Sequence, residues 1–593
     1  MSPSARTSSL RALLPGGMGA AAGALGLLSG VVNLLALTAP LFMLQVYDRV
    51  LASRSLPTLA GLAMLALGLY AFQALLDLLR GRALTRIGEM ADQALSGPVQ
   101  RAVLRAPLEA QDMPDGLQPL RDLDNVRGFL AGPGAGALFD LPWMPLYLAL
   151  CFLLHVWIGV TALVGALVLI ALAVLGEVLS RRAMMETIAA GIHRTTLLDA
   201  ARRNAEAVCA MGLTVPLAAR WQRANAAYLT ASRRANDAAG GISALSRALR
   251  VALQSGMLAV GALLVIDQQA TGGVMIASSV LMGRALAPVD MMIGSWKGFM
   301  AARQSWARLS ALLARFPTPS AVTPLPAPAR DLKVENLSLA PPGIRRPSVT
   351  GLSFSLEAGS ALGIIGPSGS GKSTLARALV GVWAPLAGKV RIDGATLDQW
   401  DRAALGRHLG YLPQSVDLFT GTVAENIARL DPAPDPAAVV AAARVAGAHD
   451  MILRLDKGYD TPIGEHGMAL SAGQRQRIGL ARALFGDPFL VVMDEPNANL
   501  DAEGEATVVA AIAAVRARGG ICVVIAHRPS ALGAVDRLLV MEAGRPSVFG
   551  PRDDVLAALR KAQSAARAAG PLRVVAGDEP SPSRQEVSAY APS

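Results

Sequence analysis

The chain of 593 residues has room for several domains and carries a formal net charge of +11 at neutral pH. Its hydrophobic fraction of 52%, its charged fraction of 17% and its mean hydropathy of +0.41 are unusual for a soluble protein and predict membrane spans. The basic excess comes with only 4% aromatic residues, which argues against nucleic-acid binding and favours attraction to anionic membrane lipid. The spacing of Cys151, Cys209 and Cys522 fits neither a disulfide framework nor a zinc site.

Hydropathy predicts six membrane spans in the first half of the chain. A bilayer crossing takes about 20 apolar residues, and the uncharged run 141–176 is too long for a single crossing. Its His155–Trp157 segment is interpreted as a hairpin between the third and fourth spans. The last two runs are short, so their helices are expected to continue past the membrane. The runs without Asp, Glu, Lys or Arg are 19–46, 56–76, 141–176, 251–266 and 271–283.

The connections between these runs predict the orientation of the membrane domain. Segments 80–132 and 180–250 are long and rich in arginine, whereas the alternate connections are short. Because basic loops remain in the cytoplasm, both termini are expected there, and the long segments are expected to be helical extensions of the spans. Polar residues such as Asn33 and Asp140 are interpreted as helix–helix contacts or interfacial positions, with a transport pathway as the alternative. Pro142 predicts a kink beside Asp140.

The composition changes after the spans. A proline-rich segment suits an extended linker, and beyond it strand-length apolar runs alternate with helical segments, which is an α/β pattern. The final residues are polar and proline-rich and are expected to be disordered. The predicted division is a cytoplasmic lead (1–18), an all-α six-span membrane domain (19–314), a linker (315–331), an α/β P-loop domain (332–566) and a tail (567–593).

The segment 366–374, GPSGSGKST, lies between a strand pattern and a helix pattern. This is the setting of a phosphate-binding P-loop, in which backbone N–H groups and a helix N-terminus face the phosphates. Lys372 is expected to reach the β- and γ-phosphates, and the Ser373 hydroxyl is expected to bind Mg²⁺. The predicted nucleotide-binding residues of this loop are Gly366, Pro367, Ser368, Gly369, Ser370, Gly371, Lys372, Ser373 and Thr374.

A second metal ligand is predicted in the segment 489–496, FLVVMDEP. An apolar run leads into Asp494, which is expected to hold Mg²⁺ at the end of a buried strand. Glu495 is then placed to polarise the attacking water. Ordinary surface charge is the alternative for two adjacent carboxylates, and the intact P-loop upstream argues against it.

The segment 470–484, LSAGQRQRIGLARAL, resembles the signature motif of ATP-binding-cassette (ABC) ATPases and lies between the P-loop and the acidic strand, as in that family. The resemblance implies ATP as the nucleotide and separates the chain from P-loop GTPases and kinases. It also implies that Ser471, Ala472, Gly473 and Gln474 contact the nucleotide bound to the P-loop of a second copy. One such domain per chain therefore implies a homodimer.

Further segments follow the order of the same family. Gln414 in YLPQ matches the Q-loop, Asp501 in NANLD the D-loop, and His527 in VVIAHRP the switch histidine. The resemblance implies catalytic roles for these three residues beside Glu495, and a metal contact for Gln414.

Two positions depart from the family pattern. Ala472 replaces the first glycine of the usual pair, which is a mild change if the backbone angles suit alanine. Pro341 stands where most exporters have a tyrosine that stacks on adenine. Base–aromatic stacking is worth roughly 1–3 kcal/mol, so adenine is held in another way or ATP binds about tenfold or more weakly.

The membrane half is similar to that of type I protein secretion permeases of the PrtD kind in the segments PLFMLQVYDRVL, LPTLAGL and FDLPWMPLYLAL, and the likeness covers roughly residues 20 to 560. It implies export of unfolded polypeptides with an uncleaved C-terminal signal across the bacterial inner membrane. The implied partners are a periplasmic membrane fusion (adaptor) protein and a TolC-like outer-membrane channel. Short segments near 117–127 and 211–217 are expected to dock onto the ATPase domains.

Three alternatives bear on the substrate. About twenty residues precede the first span, so the N-terminal peptidase domain of exporters that trim their cargo is not expected. An exporter of lipids or drugs is the alternative within transport, since the composition of the spans does not distinguish the two. A regulatory membrane scaffold without transport is the alternative from another class, and the intact Glu495, Asp501 and His527 argue against it.

Overall fold

The computed structural model describes residues 17–109, 116–317, 324–344, 346–464, 467–498, 500–526 and 532–568. The chain forms two compact units, Met1–Pro319 and Ser320–Ser593. The first is all-α and the second is α/β, as the sequence predicts.

Six helical segments in the described part of the first unit are long and apolar enough to cross a membrane, which confirms the predicted number. Side chains such as Leu27, Leu65 and Leu153 are exposed on their surfaces, as expected for helices that face lipid. The six segments are Gly19–Ser53, Leu56–Glu109, Pro133–Leu154, Val156–Arg203, Thr214–Ile266 and Gly272–Arg315.

The first span is irregular. It consists of α1 (Met18–Leu35), α2 (Thr38–Gln45), a π-helical turn (Val46–Val50) and the short α3 (Leu51–Ser53). The break after α1 has a local cause, because Pro40 has no N–H to donate to the carbonyl of Ala36. The run 19–46 was predicted as one span, and the break within it is a feature that hydropathy does not detect.

The later spans form long helices. In chain order they are α4 (Leu56–Glu109), α5 (Gln118–Leu130), α6 (Pro133–Asp140), α7 (Met144–Leu154), α8 (Val156–Arg203), α9 (Ala205–Ala210), α10 (Thr214–Ile266) and α11 (Gly272–Arg315). At 1.5 Å per residue, the 54 residues of α4 span about 80 Å, far more than a bilayer. The predicted extension of the spans beyond the membrane is confirmed.

Both predicted interruptions of the third and fourth spans are present. His155 is extended between α7 and α8, and its Nδ1 accepts a hydrogen bond from the backbone N–H of Trp157 over 3.2 Å, which caps α8. A 3₁₀ turn, Leu141–Trp143, separates α6 from α7 at Pro142. The hairpin and the kink are therefore confirmed.

Polar residues of the spans contact one another. Asn33 Nδ2 donates to Asp140 Oδ1 over 2.8 Å, and Arg80 Nη1 donates to the same oxygen over 2.9 Å. The hydroxyl of Tyr147 donates to the carbonyl oxygen of Asn33 over 2.7 Å. These bonds join the first, second and third spans, which confirms helix–helix contact for Asn33 and Asp140.

The second unit contains two sheets. Its strands are β1 (Asp331–Leu339), β2 (Val349–Glu357), β3 (Ala361–Ile365), β4 (Ala387–Ile392), β5 (Ala395–Thr396), β6 (Leu409–Leu412), β7 (Leu490–Asp494), β8 (Ile521–Ile525), β9 (Arg537–Glu542) and β10 (Arg545–Pro551). The order is β2-β1-β4-β5 in an antiparallel sheet and β10-β9-β3-β8-β7-β6 in a sheet that is parallel except for β10.

The helices of this unit are α12 (Lys372–Leu379), α13 (Arg402–Arg407), α14 (Val423–Ile427), α15 (Pro436–Val445), α16 (His449–Leu453), α17 (Ala472–Leu484), α18 (Ala502–Ala517) and α19 (Arg552–Ala568), with a 3₁₀ turn at Gly458–Asp460. Strand β7 is buried on both faces, because Val491 and Met493 pack in one apolar core and Leu490 and Val492 in the other. Since β3, β8 and β7 are parallel neighbours, their carboxyl ends meet at one edge of the sheet. Ligands of open α/β sheets bind at such an edge.

Candidate nucleotide-binding and hydrolysis site

The loop between β3 and α12 contains two glycines that no other residue could replace without strain. Gly366 has a φ of +153°, and a Cβ there would lie 2.1 Å from the carbonyl oxygen of Met541. Gly371 has a φ of +92°, and a Cβ there would lie 2.5 Å from Cγ2 of Val349. The backbone therefore comes close to its neighbours at both ends of the loop, which fits the tight turn of a phosphate cradle.

Lys372 is the first residue of α12 and is buried. Its Nζ donates to the carbonyl oxygens of Gly366 and Pro367 over 2.9 and 2.7 Å, so the ammonium lies across the loop. Burial lowers the pKa of Lys372 below its ordinary value, while the carboxylates of Glu495 and Asp494 act in the opposite direction.

A second polar group of the loop suits a phosphate ligand. The Ser370 hydroxyl is buried and has no hydrogen-bond partner within the part of the chain that the structure describes. Burying a hydroxyl without a hydrogen bond destabilises the protein, and a phosphate oxygen that accepted this hydrogen bond would remove the cost. The loop thus fits a nucleoside triphosphate by its shape, its cation and its unpaired hydroxyl.

The two predicted metal ligands contact each other. Ser373 Oγ donates to Asp494 Oδ1 over 3.2 Å, although 121 residues separate them. Asp494 ends β7 and is buried, and burial raises the pKa of its carboxyl above the ordinary value. A divalent cation would compensate this buried charge, and Mg²⁺ typically takes one or two protein ligands and completes its shell with water and phosphate oxygens. The pair therefore fits Mg²⁺, whereas the described residues contain no cluster of three or more His, Cys, Asp or Glu for another metal.

Glu495 follows Asp494 in an uncommon conformation. Its φ is +52°, in the left-handed region that non-glycine residues seldom adopt, and its N–H donates to the carbonyl oxygen of Ile525 on β8 over 3.0 Å. Gln414 Nε2 donates to Glu495 Oε2 over 3.0 Å. Backbone strain of this kind concentrates at functional positions, and here it directs a half-buried carboxylate toward the Q-loop.

The signature residues begin α17. Ser471 is the N-cap: its Oγ accepts a hydrogen bond from the N–H of Gln474, and the Gln474 side chain accepts one from the N–H of Ser471. Ala472 is the first helical residue and does not have a positive φ, so alanine fits where the family has glycine. The structure places Ser471, Ala472, Gly473 and Gln474 together at a helix N-terminus. Their contact with a second copy's nucleotide stays a prediction.

Asp501 is joined to the signature helix. Its Oδ1 caps α18 by accepting from the N–H of Gly504 over 2.9 Å, and it also accepts from Nη2 of Arg477 over 2.9 Å. The hydrogen bond from Gly504 and the charge of Arg477 lower the pKa of Asp501. On the signature helix α17, the buried Gln476 donates from Nε2 to the carbonyl oxygen of Pro496 over 3.2 Å. Sequence analysis missed Gln476 and Arg477, although both lie within the signature segment itself.

Arg429 is a further residue that sequence analysis missed. Its guanidinium donates to the carbonyl oxygens of Arg482, Gly406 and Ala483 over 3.0, 2.9 and 3.1 Å. It therefore ties the last turn of α17 to the end of α13. Burial lowers the pKa of Arg429 to about 10. No local pattern marks this residue, because all three of its partners are backbone atoms far along the chain.

Of the two remaining predicted positions, the structure describes Pro341 but not His527. His527 lies outside the described residues, which stop at Ala526 just after β8. Pro341 lies in a turn closed by a hydrogen bond from the N–H of Ile344 to its carbonyl oxygen over 3.1 Å. This turn leads to Ser348, whose carbonyl oxygen would lie 3.2 Å from a Cβ on Gly371 of the P-loop. Ser348 therefore lies beside the P-loop, and Pro341 supplies no aromatic ring for adenine.

Comparison with known proteins agrees with this geometry. The family model for the ABC transporter matches residues 349–498, and that for the ABC transporter transmembrane region matches residues 23–289. The chain belongs to the ABC transporters. As a member, it is an ATP-binding membrane protein whose ATPase domain hydrolyses ATP to drive transport, and the predicted family resemblance and fold class are confirmed.

Individual relatives show which ABC transporters the chain is similar to. The transporter is 52% identical over 551 residues to the type I secretion system ATP-binding protein PrsD of Rhizobium meliloti (strain 1021), covering 93% of this chain and 94% of that protein. It is 32% identical to the cyclolysin secretion/processing ATP-binding protein CyaB of Bordetella pertussis (strain Tohama I), covering 90% and 75% of the two chains. It is 30% identical to the alpha-hemolysin translocation ATP-binding protein HlyB of Proteus vulgaris, covering 89% and 75%.

A solved structure supports the fold. A bacterial Atm1-family ABC exporter with ATP bound matches with a TM-score of 0.77 at 24% identity, covering 94% of this chain and 99% of that one. This likeness shows that the two chains share the exporter fold.

Proposed function

We propose that this ABC transporter exports unfolded polypeptides with a C-terminal signal, as the inner-membrane ATPase of a type I secretion system. The observation that carries the proposal is the 52% identity to PrsD over 93% of the chain, since PrsD is named as a type I secretion protein. CyaB and HlyB, named for the secretion of cyclolysin and alpha-hemolysin, are similar over about nine tenths of the chain as well.

The site supports hydrolysis of ATP by residues with separate tasks. Lys372 and the backbone of the P-loop neutralise and hold the β- and γ-phosphates, and Ser370 donates a further hydrogen bond. Glu495 orients the attacking water and accepts its proton, while Gln414 holds the carboxylate of Glu495 in place. Ser373 and Asp494 would hold Mg²⁺, which neutralises charge on the phosphates when bound.

The complete site requires two copies of the chain. The signature residues Ser471 to Gln474 of one copy close over the nucleotide on the P-loop of the other, and the positive end of α17 meets the γ-phosphate. His527 completes the set by its match to the switch histidine of the family, and Asp501 is joined to the signature helix by its hydrogen bond from Arg477. A homodimer with two such sites is therefore the working unit.

Orientation and partners follow from the same proposal. The arginine-rich extensions place both termini and the ATPase domain in the cytoplasm. The division into a lead (1–18), membrane domain (19–314), linker (315–331), ATPase domain (332–566) and tail (567–593) is consistent with α11 ending at Arg315 and β1 beginning at Asp331. A periplasmic membrane fusion protein and a TolC-like channel would continue the route to the outside.

A secretion assay tests the proposal. Cells that lack the transporter should retain, inside the cell, a protein with a C-terminal secretion signal, and the wild-type chain should restore its secretion. The chain with Glu495→Gln should not restore it, although it inserts in the membrane. If secretion is unchanged by the deletion and a lipid or drug accumulates in the cell, the transporter moves small molecules and the proposal is wrong.

A further inference from the structure

We propose that Asp122 is a positioning residue that locks α5 to α11, so that the two helices move together when ATP binding drives transport. The inference rests on the proposed transport function and adds a residue to it. Helix α5 covers the segment near 117–127 that was expected to dock onto an ATPase domain. Helix α11 is the last membrane helix before the ATPase domain in the chain.

The carboxylate of Asp122 is among the most completely paired groups of the membrane unit. It is 1% exposed. Arg308 binds it with two hydrogen bonds, from Nε to Oδ2 over 2.8 Å and from Nη2 to Oδ1 over 2.6 Å. Ser305 Oγ donates to Oδ1 over 2.9 Å, and Gln118 Nε2 donates to the same oxygen over 3.0 Å. A bidentate arginine fixes direction as well as distance, so this cluster sets the orientation of α5 on α11.

Apolar residues of the same three helices also pack together, in addition to the pair of Asp122 and Arg308. Residues of α4, α5 and α11 share one buried cluster, namely Leu95, Val99, Ala102, Ala106, Leu123, Val126, Leu309, Leu312, Leu313 and Phe316. Asn125 adds a hydrogen bond from Nδ2 to Ser305 Oγ over 3.2 Å. Apolar packing alone would allow α5 to slide or rotate, whereas the buried carboxylate of Asp122 and the half-buried Arg308 permit one register.

Helix α5 depends on such a lock because it is not continuous with its own membrane span. It ends at Leu130, and α6 begins at Pro133 after Gly132, whose backbone is extended with a ψ of 172°. A proline after a non-helical residue interrupts the ladder of helical hydrogen bonds and allows a hinge. A force on α5 therefore reaches the membrane through its side-chain contacts with α11 and α4 rather than along one rigid helix.

Coupling between ATP hydrolysis and export is the quantity that distinguishes a lock from ordinary structural support. Asp122→Asn keeps the volume and one acceptor oxygen but removes the charge that holds Arg308. We expect the ATP consumed per exported polypeptide to rise roughly two- to thirtyfold, the fold-change found for residues in coupling networks, while ATP hydrolysis itself continues. Glu186→Gln is the matched control, because it also removes one carboxylate charge from an arginine pair, here the exposed pair with Arg182 on α8, outside the segments expected to dock.

A disulfide can replace the lock. In the Asp122→Asn chain with Cys209→Ser, the pair Asn125→Cys and Ser305→Cys puts one thiol on each helix, at two positions whose natural side chains are joined by a hydrogen bond from Nδ2 to Oγ of 3.2 Å. Oxidation by copper–phenanthroline should restore the normal ratio of ATP to polypeptide, and reduction should abolish it again. A residue that only supports folding would not produce this reversal.

The outcomes separate this inference from the proposed function. If the wild-type chain exports no polypeptide, the proposed function fails, and hydrogen exchange of α11 on ATP addition then tests Asp122 without a cargo. Exchange of α11 should respond to ATP in the wild type and in Glu186→Gln, and the response should be lost in Asp122→Asn. An unchanged ratio and an unchanged exchange response in Asp122→Asn would overturn the lock, as would a disulfide that stops export in the otherwise wild-type chain.

Discussion

Gln414 donates a hydrogen bond to the carboxylate of Glu495 over 3.0 Å, across 81 residues of sequence. The glutamate is held on its other side by the backbone, since its φ of +52° and the bond from its N–H to Ile525 fix where the side chain begins. The carboxylate is thus restrained at both ends. A shift of Gln414 would move the carboxylate of Glu495, which we propose orients the attacking water. The position of Gln414 would then affect the rate of ATP hydrolysis.

Glu495→Gln should lower ATP hydrolysis by roughly 10²- to 10⁴-fold, because an amide cannot accept the proton of the attacking water. ATP binding should be retained, since the phosphate cradle is unaltered. The phosphate release rate and the dissociation constant of a fluorescent ATP analogue measure the two quantities. Glu503→Gln, an equally conservative change at an exposed position on α18, is the control. Near-normal turnover in Glu495→Gln would remove this residue from its proposed role.

ATP affinity should fall as the pH rises toward the ordinary pKa of a lysine, because only the charged ammonium of Lys372 attracts the phosphates. Burial lowers the pKa of Lys372, so the charge is lost at a lower pH than in an exposed lysine. Equilibrium binding without hydrolysis is the measurement. In Lys372→Arg any residual binding should be insensitive over this range, because guanidinium remains protonated. A wild-type affinity that stays constant with pH would contradict the assignment.

Pro341→Tyr should tighten ATP binding by about five- to 150-fold, the equivalent of the roughly 1–3 kcal/mol of a stacked base. The reason is that Pro341 stands where most exporters have the tyrosine that stacks on adenine. Titration with ATP and with the bare triphosphate separates base contacts from phosphate contacts, and the affinity for triphosphate should not change. Pro342→Tyr is the neighbouring control. An equal gain in both variants would mean that a general surface effect, and not stacking, is responsible.

Asp140→Ala should destabilise the membrane domain by about 1–3 kcal/mol, because the donors of Asn33 and Arg80 lose a charged acceptor. Thermal unfolding in detergent measures the change. Replacing both Arg80 and Asp140 by leucine should recover part of the loss, since Arg80 then no longer lacks its acceptor and the half-exposed Asp77, which loses its pair with Arg80, can be solvated. Glu186→Ala, which breaks an exposed pair with Arg182, should change stability by less than about 1 kcal/mol. Equal effects of Asp140→Ala and Glu186→Ala would argue against an important contact.

The sequence predicted the features that depend on local pattern. The P-loop from Gly366 to Thr374, the acidic strand end at Asp494 and the break at His155 are short segments whose composition nearly determines their conformation. The six spans follow from hydropathy in the same way. For this reason the fold class and the positions of the nucleotide-binding elements could be stated before any coordinates.

The contacts that join distant segments could not be predicted. Asp122 and Arg308 are 186 residues apart, and in sequence each is one charged residue among many on an amphipathic helix. In sequence Arg80 is only the first residue of the arginine-rich segment 80–132, and its bond to Asp140 depends on how two helices pack. The break of the first span before Pro40 was missed because an apolar run gives no information on helix continuity.

The burial of two of the three cysteines makes the natural chain suitable for spectroscopy. Cys151 and Cys522 are buried, and burial raises the pKa of Cys522 to about 12, so this thiol is unreactive near neutral pH. Cys209 is exposed on α9, two residues before the segment near 211–217. A maleimide dye should therefore label the wild-type transporter at one place, where energy transfer between two copies can follow the cycle without engineered substitutions.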